Sequence, residues 1–313
     1  MSASQAFTTS LRLAGLTAVC LLLAIAGCGA GTSASSGSTT TTTSTNQYAA
    51  AYKAMTWGSG VTATFSGDCS MTLSASGTPP FHNAYYLAPA GSGQTVVAVT
   101  PSGMSMAVVP YTGGISNVNK ISATFNICPT KATSTTSTQG GSIGVMSSGE
   151  VLFNPYEATG TVALGDNVSY TFTSGGTSYT ASFIDQCNSH AAGGQAGGGS
   201  TWHYHGVPTC WTQSVDGATG ASHIIGIALD GFPIYGGRDV SGNVITTSQL
   251  DACNGITSAT PEFPSGAYHY VLPIGVTSNR SSLGCYTGTV NATVVAEARK
   301  LACHMKGMRM DGM

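Results

Sequence analysis

Short stretches of alternating or β-branched residues, separated by small polar residues, run through most of the chain. The clearest lie at 61–65, 95–99 and 121–125. Residues of this kind favour strands, and a helical pattern is convincing only at 294–302. We therefore predict a mostly β fold of antiparallel, sandwich-like sheets with a short C-terminal helix. We interpret the polar run 131–142 as a long surface loop.

An ordered pattern occurs twice in the second half of the chain. Segments 143–154 and 225–236 each read as a β-hairpin, and the second carries the turn dipeptide Asp-Gly. Each is followed by Asp-x-Cys-Asn and, eighteen residues after that aspartate, by a histidine between aromatic residues. The aspartate–histidine pairs are Asp185 with His203 and Asp251 with His269. We predict an internal duplication, with halves at about 143–210 and 225–285 packed about a pseudo-twofold axis.

Composition and charge exclude some classes of function. Charged residues make up 7% of the 313 residues, and ten lysines and arginines nearly balance twelve aspartates and glutamates. Because no basic field exists, nucleic acid is excluded as a partner. The chain has no G-x-S-x-G or H-E-x-x-H motif, and no two carboxylates stand out as an acid and nucleophile pair. The sequence assigns no reaction, so it leaves open whether the protein is an enzyme and which small molecule or cell-surface ligand it binds.

The first residues predict export. Arg12 precedes the apolar run 13–26, which is too short for a stable transmembrane span. The run ends in Ile-Ala-Gly-Cys, which resembles the bacterial lipobox whose cysteine becomes lipidated. We predict a lipoprotein signal peptide at 1–27, a lipid anchor at Cys28 that holds the protein to the cell membrane or outer membrane on the extracytoplasmic side, and a Ser/Thr-rich flexible tether at 28–47. An ordinary signal peptide cut nearby is the alternative.

Cysteines of an exported chain are expected mostly in disulfides. Six candidates lie in the predicted β domain: Cys69, Cys128, Cys187, Cys210, Cys253 and Cys285. Cys303 makes the number odd and is the candidate free thiol. No two cysteines have the C-x-x-C spacing of a zinc ribbon or a thioredoxin-like motif, and the sequence leaves the pairing open.

The most distinctive stretch is Trp202-His203-Tyr204-His205. Residues i and i+2 of a strand project from the same face, so the two imidazoles would point one way and the two aromatic rings the other. Imidazole is a good ligand for zinc and for copper. We therefore predict a metal site on His203 and His205, with copper or zinc as the ion.

A third ligand would complete a three-histidine site of the kind that holds catalytic zinc. The matching histidine of the second copy, His269, is the first candidate, followed by His190, His223 and His82. Carboxylates can orient such ligands by accepting an imidazole N–H. The residues predicted to support the site are Asp185, Asp251, Tyr204 and Tyr268. Two structural interpretations stand beside this one: the histidines are hydrogen-bonded members of an aromatic core, and the aspartates cap turns beside the cysteines.

These motifs resemble the YHYH family, a group of exported proteins named for a Tyr-His-Tyr-His motif. The resemblance rests on Trp202-His203-Tyr204-His205, the run from His223 through Asp230-Gly231-Phe232-Pro233-Ile234-Tyr235-Gly236, Leu250-Asp251-Ala252-Cys253-Asn254-Gly255, Tyr268-His269-Tyr270 and Gly284-Cys285. It covers roughly 65–287 and implies one YHYH-like domain, which we place at 48–290. Trp202 replaces the first tyrosine of the motif, and Val271 replaces a histidine expected in the second copy. The resemblance implies a domain rather than an activity.

The remaining segment, 291–313, is predicted to form the C-terminal helix and a tail with Cys303 and four methionines. Thiolate and thioether ligands suit Cu(I), and a frayed end with adaptable methionines is the alternative. Two classes of function follow for the whole chain. One is a membrane-anchored extracytoplasmic protein that binds a transition metal through histidines, with catalysis left open. The other is a disulfide-stapled cell-surface binding or structural module without a metal.

Overall fold

The computed structural model describes residues 46–111, 121–191 and 201–296, and within these ranges β-strands form four sheets. The strands are β1 (Val61–Ser66), β2 (Ser70–Ala75), β3 (Tyr85–Pro89), β4 (Ala98–Val99), β5 (Ser105–Pro110), β6 (Ile121–Asn126), β7 (Lys131–Ser137), β8 (Ser142–Met146), β9 (Val151–Phe153), β10 (Ser169–Ser174), β11 (Thr177–Ser182), β12 (Ser189–Ala191), β13 (Trp202–Tyr204), β14 (Ile224–Ala228), β15 (Pro233–Tyr235), β16 (Gly255–Ser258), β17 (Ala267–Val271) and β18 (Cys285–Gly288). The helices are α1 (Gln47–Ala54), α2 (Thr209–Asp216) and the C-terminal helix, described over 292–296. The predicted mostly β fold with a short C-terminal helix is confirmed.

The chain divides into two units, Met1–Thr43 and Ser44–Met313, and every described residue belongs to the second. The predicted signal peptide, the anchor at Cys28, most of the tether and the Met-rich tail lie outside the described residues. None of the described helices is long and apolar enough to cross a membrane.

The largest sheet has eight strands in the order β12-β13-β9-β8-β14-β15-β17-β16. At each edge two strands pair antiparallel, β12 with β13 and β16 with β17. The inner strand of each pair lies parallel to one strand of a hairpin, β13 to β9 and β17 to β15. The two hairpins, β8–β9 and β14–β15, are joined at the centre by the antiparallel pair β8–β14. The hydrogen bonds at the two ends of that pair join equivalent positions of the two halves. Ser147 donates its N–H to Ile225 O at 2.7 Å, and Leu229 donates its N–H to Ile143 O at 3.1 Å. This order is what the predicted duplication would produce. The duplication itself remains a prediction.

Two glycines allow the central strands of this sheet to pack closely. A Cβ added at Gly144 would lie 2.8 Å from the carbonyl oxygen of Ile227, and one at Gly226 would lie 2.8 Å from that of Val145. Both distances are shorter than van der Waals contact, so no larger residue fits without a shift. The other residues of β8 and β14 are buried as well. The Ile-Gly-Val and Ile-Gly-Ile segments therefore form the middle of the core.

The smaller sheets have the strand orders β1-β2-β6, β10-β11-β3-β5-β4 and β18-β7. The stretches 61–65 and 121–125 lie in β1 and β6 as predicted, whereas 95–99 forms a strand only at Ala98–Val99. The prediction of a surface loop at 131–142 is wrong, because Lys131–Ser137 forms β7 and pairs with β18. This strand is exposed along most of its length and has no apolar face, so hydrophobic alternation could not reveal it.

Two helices of eight residues were not expected from the sequence. Helix α1 is preceded by Asn46, whose side chain accepts the N–H of Tyr48 at 3.0 Å and caps the first turn. It buries Tyr52, whose hydroxyl donates to the carbonyl oxygen of Gly231 at 3.0 Å. Helix α2 follows Pro208 and ends at Gly217, which has a φ of 72°. Both span only about two turns, too few for periodicity to be convincing.

All six candidate cysteines form disulfides. Cys69 is bonded to Cys128, Cys187 to Cys210 and Cys253 to Cys285. Cys303 lies outside the described residues. The second and third bridges each begin at an Asp-x-Cys-Asn motif, one in each half of the large sheet.

Candidate metal centre

The site begins with the turn that leads into β12. One carboxylate oxygen of Asp185 accepts the N–H of Cys187 at 2.9 Å and the N–H of Ser189 at 3.0 Å. Asn188 completes the turn with a φ of 62°, a left-handed conformation that asparagine tolerates better than most residues. Strand β12 then pairs antiparallel with β13, which places His190 directly opposite His203.

His203 and His205 lie on one side of their strand, as predicted. Their Nε2 atoms are 2.9 Å apart, and their ring centroids are 4.7 Å apart. Trp202 makes different contacts: its ring packs edge-on against Tyr86 at a centroid distance of 5.0 Å. Alternation along an extended chain thus places the two imidazoles together.

His190 and Glu157 complete the cluster. The His190 ring centroid is 4.6 Å from that of His203 and 5.2 Å from that of His205. Glu157 Oε1 lies 3.2 Å from His190 Nε2 and 3.3 Å from His205 Nε2. A ligand atom from each of the three histidines lies within 4.8 Å of the others, and all three residues are buried. These three residues could hold a metal ion.

The hydrogen bonds of the rings fix which nitrogen faces the centre. His203 Nδ1 is 2.9 Å from the carbonyl oxygen of Thr201, and His205 Nδ1 is 2.7 Å from that of Asn154. Because a carbonyl oxygen only accepts, both Nδ1 atoms carry the hydrogen in the neutral tautomer, which we assign from this geometry. Two Nε2 lone pairs then face each other at 2.9 Å. Such an arrangement needs a cation between the rings, either a proton or a metal ion.

The pKa values of His203 and Glu157 are shifted by burial and by neighbouring charges. His203 is 2% exposed, and its pKa is held well below the usual value, first by burial and then by the charges of His190 and His205. Burial alone would raise the pKa of Glu157, but the charges and close approach of His190 and His205 together hold it far below its usual range. Neutral His203 beside ionised Glu157 is the form that binds a cation.

Two phenylalanine rings pack against the cluster, and two serine hydroxyls bond to the backbone carbonyls beside it. Phe153 stacks on His203 with a centroid distance of 3.8 Å, and Phe183 meets His190 edge-on at 4.9 Å. Ser281 Oγ donates to the carbonyl oxygen of His205 at 2.8 Å, and Ser282 Oγ donates to that of Phe153 at 2.7 Å. The histidine backbone is therefore held by residues far along the chain.

His269, the first candidate for the third ligand, is not part of this cluster. It lies on β17, which is separated from β13 by four strands of the large sheet. At about 4.8 Å per strand the two histidines lie roughly 24 Å apart. The duplicated pattern suggested convergence, but it placed the equivalent histidines in opposite halves of one sheet. His190 takes the third place.

His223 and His82 also lie outside the cluster. His223 is half-exposed, and its Nδ1 is 2.8 Å from Glu262 Oε1. The second carboxylate oxygen of Glu262 accepts the hydroxyl of Tyr235 at 2.8 Å. His82 is exposed and stacks on Tyr111 at a centroid distance of 3.7 Å. Within the described ranges, the cluster of His190, His203 and His205 is the group of side chains arranged to hold an ion.

Among the described residues, the side chains of the four residues predicted to support the ligands make their hydrogen bonds to groups other than imidazoles. The hydroxyl of Tyr86 and the hydroxyl of Ser189 donate to Asp185. The equivalent Asp251 accepts the N–H groups of Cys253 and Gly255 and the hydroxyl of Tyr268. Tyr204 turns its hydroxyl towards that of Ser148, at 3.4 Å. Both aspartates cap turns, as the structural interpretation of these residues predicted, and backbone carbonyls orient the imidazoles instead.

Glu157 is the site residue that the sequence interpretation missed. It lies in a tight turn after the first hairpin, where Tyr156 pairs with Val162. In the second half, Arg238 pairs with Val244 in the same way, and Asp239 occupies the position of Glu157. An acidic residue thus follows each hairpin, and that signal was present in the repeat.

Two segments of the chain, residues 122–244 and 238–284, match a family model described as YHYH protein. Together they span residues 122–284, which is more than half of the 313 residues, and they contain the three histidines and Glu157. No significant match to a curated protein or to a solved structure was found.

Proposed function

The chain belongs to the YHYH family, and from that premise we propose that its histidine cluster binds a transition-metal ion, copper or zinc, outside the cytoplasm. One observation carries the proposal: the buried Nε2 atoms of His203 and His205 face each other at 2.9 Å while both Nδ1 atoms are engaged by backbone carbonyls. His190 adds a third imidazole from the paired strand. Imidazole nitrogen suits both ions. The chain's own contribution is to hold three buried imidazoles close together in a pre-formed position.

The direct test is metal analysis of the full chain purified without an affinity tag. We expect one equivalent of copper or zinc per chain, and we expect the His203→Ala/His205→Ala double variant to lose it. The matched control is His82→Ala/His223→Ala, which removes two histidines outside the cluster and should keep the ion. A wild-type protein that binds neither ion, and a double variant that only unfolds at a lower temperature, would overturn the proposal.

A metal-free structural module is the second candidate function. Three disulfides and a core rich in aromatic side chains support it, because such a domain is held together without an ion. The metal analysis above separates the two candidates, since only the first ties metal content to His203 and His205.

We also propose that the protein is anchored by a lipid at Cys28 and faces the extracytoplasmic space. The lipobox-like Ile-Ala-Gly-Cys sequence and the Ser/Thr tether support this location, as do the three disulfides, which are typical of oxidising compartments. The Cys28→Ser variant should move from the membrane fraction to the soluble fraction and should not incorporate a labelled fatty acid. Membrane association that survives this substitution would contradict the anchor.

A further inference from the structure

We infer that Glu157 is a fourth protein ligand, so that the histidine cluster is a closed, four-coordinate site for a divalent ion of the zinc type rather than an open catalytic site. This inference rests on the proposed metal binding and adds to it the ligand number and the class of ion. In structural zinc sites four protein ligands complete the tetrahedron, whereas catalytic sites keep a position free for water or substrate.

The distances fit a small tetrahedral ion. Bonds of about 2.0–2.1 Å from zinc to nitrogen or oxygen place neighbouring ligand atoms roughly 3.3 Å apart in a tetrahedron. Glu157 Oε1 lies 3.2 Å from His190 Nε2 and 3.3 Å from His205 Nε2, and His205 Nε2 lies 2.9 Å from His203 Nε2. The carboxylate oxygen is therefore about as close to the Nε2 atoms of His190 and His205 as the Nε2 atoms of His203 and His205 are to each other.

The turn that carries Glu157 presents this oxygen to the cluster. Glu157 donates its N–H to Thr161 O at 2.9 Å, and its own carbonyl oxygen accepts the N–H of Gly160 at 2.9 Å. Both Glu157 Oε1 and His190 Nε2 are buried and lack a partner with hydrogen-bond geometry among the described residues. A buried carboxylate oxygen without a hydrogen bond costs free energy unless a cation satisfies it. An ion bonded to both atoms would satisfy them together.

The chemistry of the ligand set favours a divalent ion. A divalent ion bound by one carboxylate and three neutral imidazoles forms a site with a net charge of plus one. Oxygen is a poor ligand for the softer Cu(I). The walls formed by Phe153 and Phe183 offer no further donor. The Glu157 side chain is 19% exposed, compared with 1% for that of His205. Glu157 is thus the outermost ligand, and the ion would reach the imidazoles from its side.

The experiment compares the wild-type chain with Glu157→Gln by competition with a chromophoric chelator, using Zn(II) and Co(II). Loss of a residue that only orients a metal ligand typically weakens metal binding about tenfold or more. Because Glu157 would be a ligand itself, we expect Glu157→Gln to lower the metal affinity by at least that much. The matched control is Asp239→Asn, the acid of the equivalent turn, which should bind like the wild type. Azide added to the Co(II) protein should leave its visible spectrum unchanged, because no coordination position is free.

The outcomes distinguish this inference from the metal site itself. If Glu157→Gln binds both ions as tightly as the wild type while His203→Ala/His205→Ala does not bind them, Glu157 is not a ligand and the three-histidine site stands. If azide changes the Co(II) spectrum of the wild type, the site has an open position and the closed arrangement is wrong. If the wild type binds neither ion, the proposed function fails together with the inference.

Discussion

His190 lies directly opposite His203 on paired strands, whereas the residue opposite His269 in the second half of the same sheet is Ile256. The position of His205 is taken there by Val271, which packs in an apolar cluster with Ile256. One scaffold therefore carries a histidine cluster in its first half and apolar side chains at the equivalent positions of its second. This difference identifies the residues that distinguish the candidate metal site from a packed core.

Restoring the missing histidines should create a second site. In the Ile256→His/Val271→His variant, His269 gains both neighbours. Asp239 has the chain position of Glu157, but its carboxylate accepts the N–H groups of Ser241 and Asn243 in exposed hydrogen bonds, so the three histidines would hold the second ion. We expect a second equivalent of bound zinc, with the unfolding free energy lowered by about 1–3 kcal/mol because larger polar groups enter a packed cluster. Isothermal titration measures the stoichiometry. The single variant Ile256→His is the control and should bind one equivalent; one equivalent in the folded double variant would count against the equivalence of the two halves.

Removal of His269 should affect stability and leave the metal in place. His269 is buried, its Nδ1 is 3.0 Å from the carbonyl oxygen of Ala267, and its ring lies 4.6 Å from that of Tyr235. His269→Ala leaves a cavity and an unpaired carbonyl, which costs about 2 kcal/mol. Metal content measured beside thermal unfolding checks this. A chain that unfolds like the wild type but has lost its ion would reinstate His269 as a ligand.

The disulfide between Cys187 and Cys210 encloses all three histidines of the cluster. Its 23-residue separation is comparable with the 32 residues between Cys253 and Cys285 in the second half. Replacing either pair with serine should therefore lower the unfolding free energy by about 3–4 kcal/mol. Metal affinity should fall only for Cys187→Ser/Cys210→Ser. Equal loss of affinity in both variants would mean that general destabilisation, and not the enclosure of the ligands, is responsible.

Glu150 should make the protein less stable as the pH rises. It is fully buried, and burial raises its pKa from 4.5 to about 7, offset in part by the hydroxyls of Ser148 and Tyr204. Between these values the unfolded chain is ionised while the folded chain holds the proton, so folding stability falls with pH. The loss reaches about 3 kcal/mol above pH 7.

Chemical denaturation of Glu150→Gln between pH 4.5 and 8 tests this sign. The difference between the wild type and the variant should grow in favour of the variant as the pH rises. Asp68→Asn, at an exposed carboxylate, is the control and should follow the wild type. A difference that does not change with pH would show that Glu150 is ionised in the folded protein throughout.

The sequence predicted the fold where a local pattern determines the structure. The segments 143–154 and 225–236 formed the predicted hairpins because their buried apolar residues and turn glycines act within about a dozen positions. Strand β7 was missed because its partner, β18, lies about 150 residues further along the chain. Its threonines and serines carry no hydrophobic signal, so only tertiary pairing makes this segment a strand.

The candidate site was predicted in part for the same reason. The spacing of His203 and His205 determines their common face directly, through the pleat of a strand. The third ligand depends on which strand lies beside β13, and that is a question of sheet order that the spacing does not answer. His269 was preferred from the repeat, yet pairing with β12 brings His190 instead. Glu157 enters through a turn whose carboxylate has no motif of its own.

Ser281 and Ser282 fasten the backbone of the cluster from a distant part of the chain. The residues from Glu157 to His205 lie close together in the sequence, and the disulfide between Cys187 and Cys210 encloses the histidines. The backbone carbonyls of His205 and Phe153 receive their hydroxyl donors only when a segment about 75 residues beyond His205 has docked. We therefore expect these two hydrogen bonds to lock the cluster, so that a bound ion is held firmly only once the distant segment has docked. In the Ser281→Ala/Ser282→Ala variant every ligand is retained, and we expect the ion to dissociate faster in a chelator-trapping experiment; an unchanged rate would show that the lock has no bearing on retention.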